Sequence, residues 1–135
     1  MTEQAAGVAP DDKEIRKHAM MCHFIVLAAF ILPLAAILGP LIYWQLKKGV
    51  DPFVDEQGKE SLNFQLNIFG ACIVLFILSV IFARLPAIGG FFAGTFFLAS
   101  LGIGLGAIGF AVYAAIKINE GKNWRYPLPI VRLIK

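Results

Sequence analysis

Residues 23–46 read HFIVLAAFILPLAAILGPLIYWQL. As one straight helix this stretch would be ~36 Å long, enough for a single membrane crossing. Two prolines oppose that. Pro33 leaves the carbonyl of Ala29 without its helical donor, and Pro40 does the same to Ala36. Gly39 weakens the helix just before the second proline. Broken backbone is tolerated in lipid only where protein or water satisfies the freed groups. The segment is therefore expected to be broken. It either makes one kinked crossing or turns back as a shallow hairpin near Pro33–Gly39. Tyr43, Trp44, Lys47 and Lys48 mark its exit through a membrane interface.

The rest of the chain supports a membrane setting. It has 135 residues, of which 59% are hydrophobic and 16% charged. A soluble domain of that length could not hide so much apolar surface. The net charge of +3 is small and flanks apolar segments. It reads as interfacial charge rather than a nucleic-acid footprint. Cys22 and Cys72 read as reduced, buried small hydrophobes. The acids near the N-terminus and the long apolar run do not fit a signal peptide.

In chain order, residues 1–10 are expected to be a flexible N-terminus. Residues 11–22 form an interfacial amphipathic helix, capped by Asp11 or Asp12. Residues 23–46 are the broken segment. Residues 47–61 are a polar loop and helix start, with Asp51 as N-cap and Pro52 at the first helical position; Gly58 could delay that start by a turn. Transmembrane helices follow over 62–83 and 91–116, joined by a turn at Ala87–Gly90. Residues 117–135 are a basic interfacial tail, in which Pro127 and Pro129 exclude a regular helix and Trp124 and Tyr126 anchor to the interface. The fold class is an all-α, small polytopic helical membrane protein with two full transmembrane helices. Three crossings would separate Lys13, Arg16 and Lys17 from the basic loop and tail. A hairpin places them together and leaves only Arg84 opposite, which charge asymmetry favours. Both arrangements put the loop and C-terminus in the cytoplasm.

Two helix faces stand out. Glu56, Glu60, Asn63, Asn67 and Gly70 recur at spacings of four and three, a narrow polar stripe that enters an apolar helix and stops part-way. Such a stripe should face protein or water. It could hydrogen-bond neighbouring helices, line a wet vestibule or meet a partner's helix. On the last helix, Thr95, Ala99, Gly102, Gly106, Gly109 and Tyr113 share one face, with Gly102 and Gly106 forming a GxxxG pair. Ser100, Gly104, Ala107 and Ala111 make the opposite face small as well. A helix small on both sides is expected to pack between two neighbours, one of which could be another subunit.

No catalytic, metal or cofactor site is expected. His18 and His23 fall ~140° apart on a helix, and no second cluster of ligands accompanies them. Asp51, Asp55, Glu56 and Glu60 surround Lys59 and read as a solvated helix start. The glycines of 101–109 lie within an apolar helix with no preceding strand, so they are packing residues.

Gly39-Pro40-Leu41-Ile42, Trp44, Lys47-Lys48, Pro52-Phe53-Val54-Asp55-Glu56, Gly58-Lys59-Glu60 and Leu62-Asn63-Phe64-Gln65 resemble the signature of a bacterial membrane family of unknown function. That family is grouped with the Tic-like chloroplast import component and with magnetosome membrane proteins. Tyr126-Pro127-Leu128 is similar to its tail. The family often has His where this chain has Gln57 and Ala where it has Ser61. The resemblance implies a small helical fold in a bacterial inner membrane.

The functional expectation is a non-enzymatic interaction or scaffold subunit acting through helix packing. Its partners are the lipid bilayer and either further copies of itself or another membrane protein, with no nucleic acid. The alternative is an oligomeric conduit or translocation-type component with a polar vestibule at Glu60, Asn63 and Asn67.

Overall fold

The computed structural model describes residues 10–128 and 130–135. The flexible-terminus expectation for residues 1–9 and the role of Pro129 lie outside the described residues. Helix α1 spans Lys13–Phe24 and a 3-10 helix follows over Ile25–Phe30. Helices α2, α3 and α4 span Ala35–Lys47, Pro52–Phe82 and Gly89–Asn119. No strand occurs among the described residues.

Asp12 starts α1, its carboxylate accepting from the backbone N–H groups of Glu14 and Ile15. The apolar chain then tightens into 3-10 geometry and breaks at residues 31–34, around Pro33. Pro40 is accommodated inside α2, where it is buried. The segment folds back on itself. Gly39 lies against Ile25, with only 3.4 Å between the position of a Cβ there and the Ile25 side chain. His18 and Tyr43, 25 positions apart, are hydrogen-bonded at 2.8 Å. Residues so separated could not meet along one straight helix. The first hydrophobic segment is thus a hairpin, with Ile31 exposed at its tip.

Asp51 caps α3 from an extended backbone, its Oδ1 accepting from the Phe53 N–H at 2.7 Å. Pro52 occupies the first turn, where its missing N–H costs nothing. Gly58 does not delay the helix. It lets the Trp44 indole lie directly on the α3 backbone; a Cβ there would overlap the ring. Trp44 is fixed from its other edge by donating Nε1–H to Asp55 at 2.8 Å. Asp55 also pairs with Lys59 one turn on.

Helices α3 and α4 are long and apolar enough to cross a membrane. They join through a turn in which Ala87 has a φ of +66°. Gly89 approaches the Phe82 carbonyl too closely for any side chain. Helix α4 ends at Gly121, with φ +88° and the Lys122 N–H returning to the Lys117 carbonyl, a Schellman closure. Away from the hairpin, α3 and α4 present exposed Val74, Phe76, Ile77 and Ile81 on one helix and Phe91, Phe97 and Leu98 on the other. Apolar surface of that extent belongs in lipid. The chain is a small helical membrane bundle.

Candidate functional site

The polar stripe of α3 lies where the hairpin, α4 and the C-terminal tail converge. The tail is the stripe's partner, and no residue pattern in the sequence marks it as such. After Gly121 it follows α3 from Arg125 beside Glu56 to Tyr126 beside Glu60, and it comes back from Val131 at Asn67 to Ile134 at Asn63. Each polar residue of the stripe grips it at a separate level.

At the outer level, Glu56 faces Arg125 at 3.8 Å, both exposed enough for the pair to contribute little. One turn deeper, Glu60 is 5% exposed. Its Oε1 accepts the Tyr126 backbone N–H at 2.9 Å, and the Arg132 guanidinium lies 3.3 Å from both carboxylate oxygens. Asn63 holds the end of the tail. Its Oδ1 accepts from the Leu133 and Ile134 N–H groups, and its Nδ2–H donates to the Ile134 carbonyl, all at 2.8 Å. Asn67 binds Val131 in the same two-handed way, at 2.9 Å to its N–H and 2.8 Å to its carbonyl.

Beside the stripe runs a buried side-chain chain. His23 is fully buried, with Nε2 3.0 Å from Gln57 Oε1 and Nδ1 2.9 Å from the Tyr126 hydroxyl. The glutamine oxygen can only accept, so Nε2 carries the proton and Nδ1 accepts from tyrosine. Gln57 Nε2–H in turn donates to Asn123 Oδ1 and to the Trp124 carbonyl. The connection therefore runs from the tail, through α1 and α3, back to the tail. Burial lowers the His23 pKa to about 4, so the ring is neutral near pH 7. Burial also raises the Tyr126 pKa, with the nearby Glu60 charge adding to it. Ser61 Oγ–H donates to the Cys22 carbonyl at 2.7 Å, capping a group freed where α1 gives way to the 3-10 helix. Burial pushes the Cys22 thiol up to about 12.

The aromatic residues assemble around the same junction. The sequence marks Tyr126 as an interface anchor. It is buried, 4% exposed, and stacked on Phe64 with ring centroids 3.7 Å apart. Its hydroxyl is satisfied by His23, which allows the whole ring inside. Trp124 packs edge-on against Tyr126 and Tyr113. Of the other proposed anchors, Trp44 is buried against Gly58, Tyr43 is half-buried on His18, and Lys47 and Lys48 follow at the end of α2. Lys48 lies over the Trp44 ring at 5.0 Å.

The small residues of α4 divide into two environments. Ala107, Ala111 and Ala114 are buried, with Ala107 and Ala114 packed beside Phe64 and Tyr126. Ala99, Gly102, Gly106 and Gly109 lie on the exposed side. A Cβ at any of the three glycines would meet no atom within 4 Å. The face that sequence identified for packing is thus uncovered within one chain.

The model of the magnetosome magnetite crystal formation protein family matches residues 14–134, and the chain belongs to that family. No curated protein and no solved structure matches it.

Proposed function

We propose that this member of the magnetosome magnetite crystal formation family is a non-enzymatic scaffold subunit of a bacterial membrane. In this reading it takes part in crystal formation by assembling with further copies through the exposed small-residue face of α4. The observation that carries the reading is the division of labour between the two marked faces. The polar stripe of α3 is occupied by the chain's own tail, through Glu60, Asn63 and Asn67. The glycine face of α4 is left uncovered and flat. Between helices in lipid, close backbone approach at small residues is what holds an interface together.

The occupied stripe supports this reading over a conduit. A wet path would need Glu60 and Asn63 open to water, and both are buried beneath the tail. The basic residues at the hairpin, loop and tail end support placing that end in the cytoplasm. The test is assembly of Gly102→Leu and Gly106→Leu in mild detergent and in lipid. Because a side chain at either position meets nothing within its own chain, the monomer fold should survive. Both variants are expected to lose the oligomer that wild type forms. Assembly like wild type would overturn the reading.

A further inference from the structure

The C-terminal tail reaches well past the polar end of α3. The apolar part of that helix extends from Leu62 to Ala83, ~33 Å of helix, which matches the ~30 Å hydrocarbon core of a bilayer. Tyr126 is held at Glu60, just outside that part, and Val131 at Asn67, ~10 Å further along the helix. Helix α4 gives a similar depth. Phe64 packs on Phe110 with ring centroids 6.4 Å apart. Phe110 lies ~10 Å inside Lys117, the charge that closes the apolar run of α4. Asn67 is almost a turn deeper than Phe64.

Two features set this tail apart from one that lies on a membrane surface. The first is where its backbone bonds. The N–H groups of Tyr126 and Val131 donate to Glu60 and Asn67, those of Leu133 and Ile134 to Asn63, and that of Ile130 to the Leu128 carbonyl. The amides of Asn67 and Asn63 donate in return to the carbonyls of Val131 and Ile134. At a surface, water satisfies such groups. Irregular backbone within hydrocarbon needs the protein to do so. The second feature is what the tail turns outward. Leu128, Val131 and Leu133 are 41%, 63% and 64% exposed. The charge between them is directed elsewhere. Arg132 follows Val131, yet its guanidinium lies 3.3 Å from Glu60, ~10 Å nearer the polar end than Asn67. A basic side chain reaches back in this way from within a membrane to its edge.

We propose that the tail is a re-entrant element of the membrane domain. It enters the hydrocarbon after Tyr126, reaches Val131 inside it and comes back by Ile134, and the outward row of Leu128, Val131 and Leu133 meets the acyl chains of surrounding lipid. Asn63 and Asn67 are then the residues that admit it, because they supply the donors and acceptors that lipid lacks. The pairing of Glu60 with Arg132 neutralises the one charge that the returning tail carries below the surface. The inference does not rest on assembly through α4.

The test uses the full chain in vesicles of phosphatidylcholine and phosphatidylglycerol, with a nitroxide on a single cysteine in a background of Cys22→Ala with Cys72→Ser. Collisions are measured with oxygen, which concentrates in hydrocarbon, and with a water-soluble nickel chelate present on both sides. The label at Val131→Cys is expected to meet oxygen and to escape nickel, and the label at Arg125→Cys to show the reverse. Adding Asn63→Leu and Asn67→Leu should shift the Val131→Cys label from oxygen to nickel. A Val131→Cys label open to nickel in the otherwise unchanged chain would place the tail at the surface and overturn the proposal. A label shielded from both reagents would mean that protein covers this row, and would overturn it too. A label that keeps its oxygen contact without the two asparagines would overturn their role. The reading at Val131→Cys in the unchanged chain does not depend on how well the asparagine variant folds.

Discussion

Asn63 holds both backbone polar groups of Ile134, accepting its N–H and donating to its carbonyl, each at 2.8 Å. An asparagine 71 positions earlier in the chain thereby pairs with the tail as a neighbouring strand would. Asn67 repeats the arrangement on Val131. The tail is a built part of the bundle, held by the side-chain amides of α3.

Asn63→Leu should release the end of the tail. It removes an acceptor for two N–H groups and a donor for one carbonyl, a loss of about 2 kcal/mol once water partly replaces the bonds. That corresponds to a ~30-fold rise in the open population. Carboxypeptidase digestion of the intact protein in detergent should accelerate accordingly, while helix content by circular dichroism stays unchanged. Unaltered digestion would show that the clamp does not hold the tail.

Gly58→Ala should destabilise the junction of α2 and α3 by about 1–3 kcal/mol, the usual cost of forcing a group into packed space. The added methyl overlaps the Trp44 indole, which cannot move away without losing its bond to Asp55. The thermal midpoint should fall and Trp44 fluorescence should shift to the red. Neither change would occur if the indole had room to withdraw.

Ala87→Gly should stabilise the protein. A φ of +66° costs a non-glycine residue roughly 1–2 kcal/mol. The greater freedom of glycine in the unfolded chain returns about 0.4–1 kcal/mol of that. A net gain of about 0.5–1 kcal/mol is expected in reversible unfolding from mixed micelles. A lower stability would mean that the alanine methyl packs usefully despite its backbone.

Acidification should loosen the tail through His23. Its pKa is lowered from 6.5 to about 4 in the fold, so the unfolded state binds the proton first as pH falls. The stabilisation is complete above pH 6.5 and is lost as pH falls through about 4. A protonated His23 would also present a second donor to the Tyr126 hydroxyl, which already donates to it. Amide exchange at Tyr126 should rise across that window in wild type. His23→Gln, which cannot titrate, should remove the step.

Much of the fold is legible in sequence because each piece has a local cause. Pro33 breaks the first segment, Asp51-Pro52 starts α3, and the apolar lengths mark two spans. Charge asymmetry favours the hairpin that His18 and Tyr43 close. The stripe is visible because its period matches a helix. Its partner is not, because Asn63 and Asn67 bind backbone groups, and backbone binding leaves no residue pattern at 131–134. Tyr126 misleads for a related reason. An aromatic beside basic residues looks interfacial until a distant histidine supplies a buried partner for its hydroxyl. On α4, the sequence marks two small faces without saying which one this chain uses. The fold does, by turning Ala107 and Ala114 onto Phe64 and Tyr126.

The most direct measurement of the scaffold proposal is cross-linking between chains in native membranes. Single cysteines would replace Gly106, on the uncovered face of α4, and Val74, on the exposed apolar side of α3. The background would be Cys22→Ala with Cys72→Ser. Assembly through the glycine face predicts rapid disulfide-linked dimers from Gly106→Cys and few from Val74→Cys. Equal cross-linking at the two positions, or none at Gly106→Cys, would contradict it.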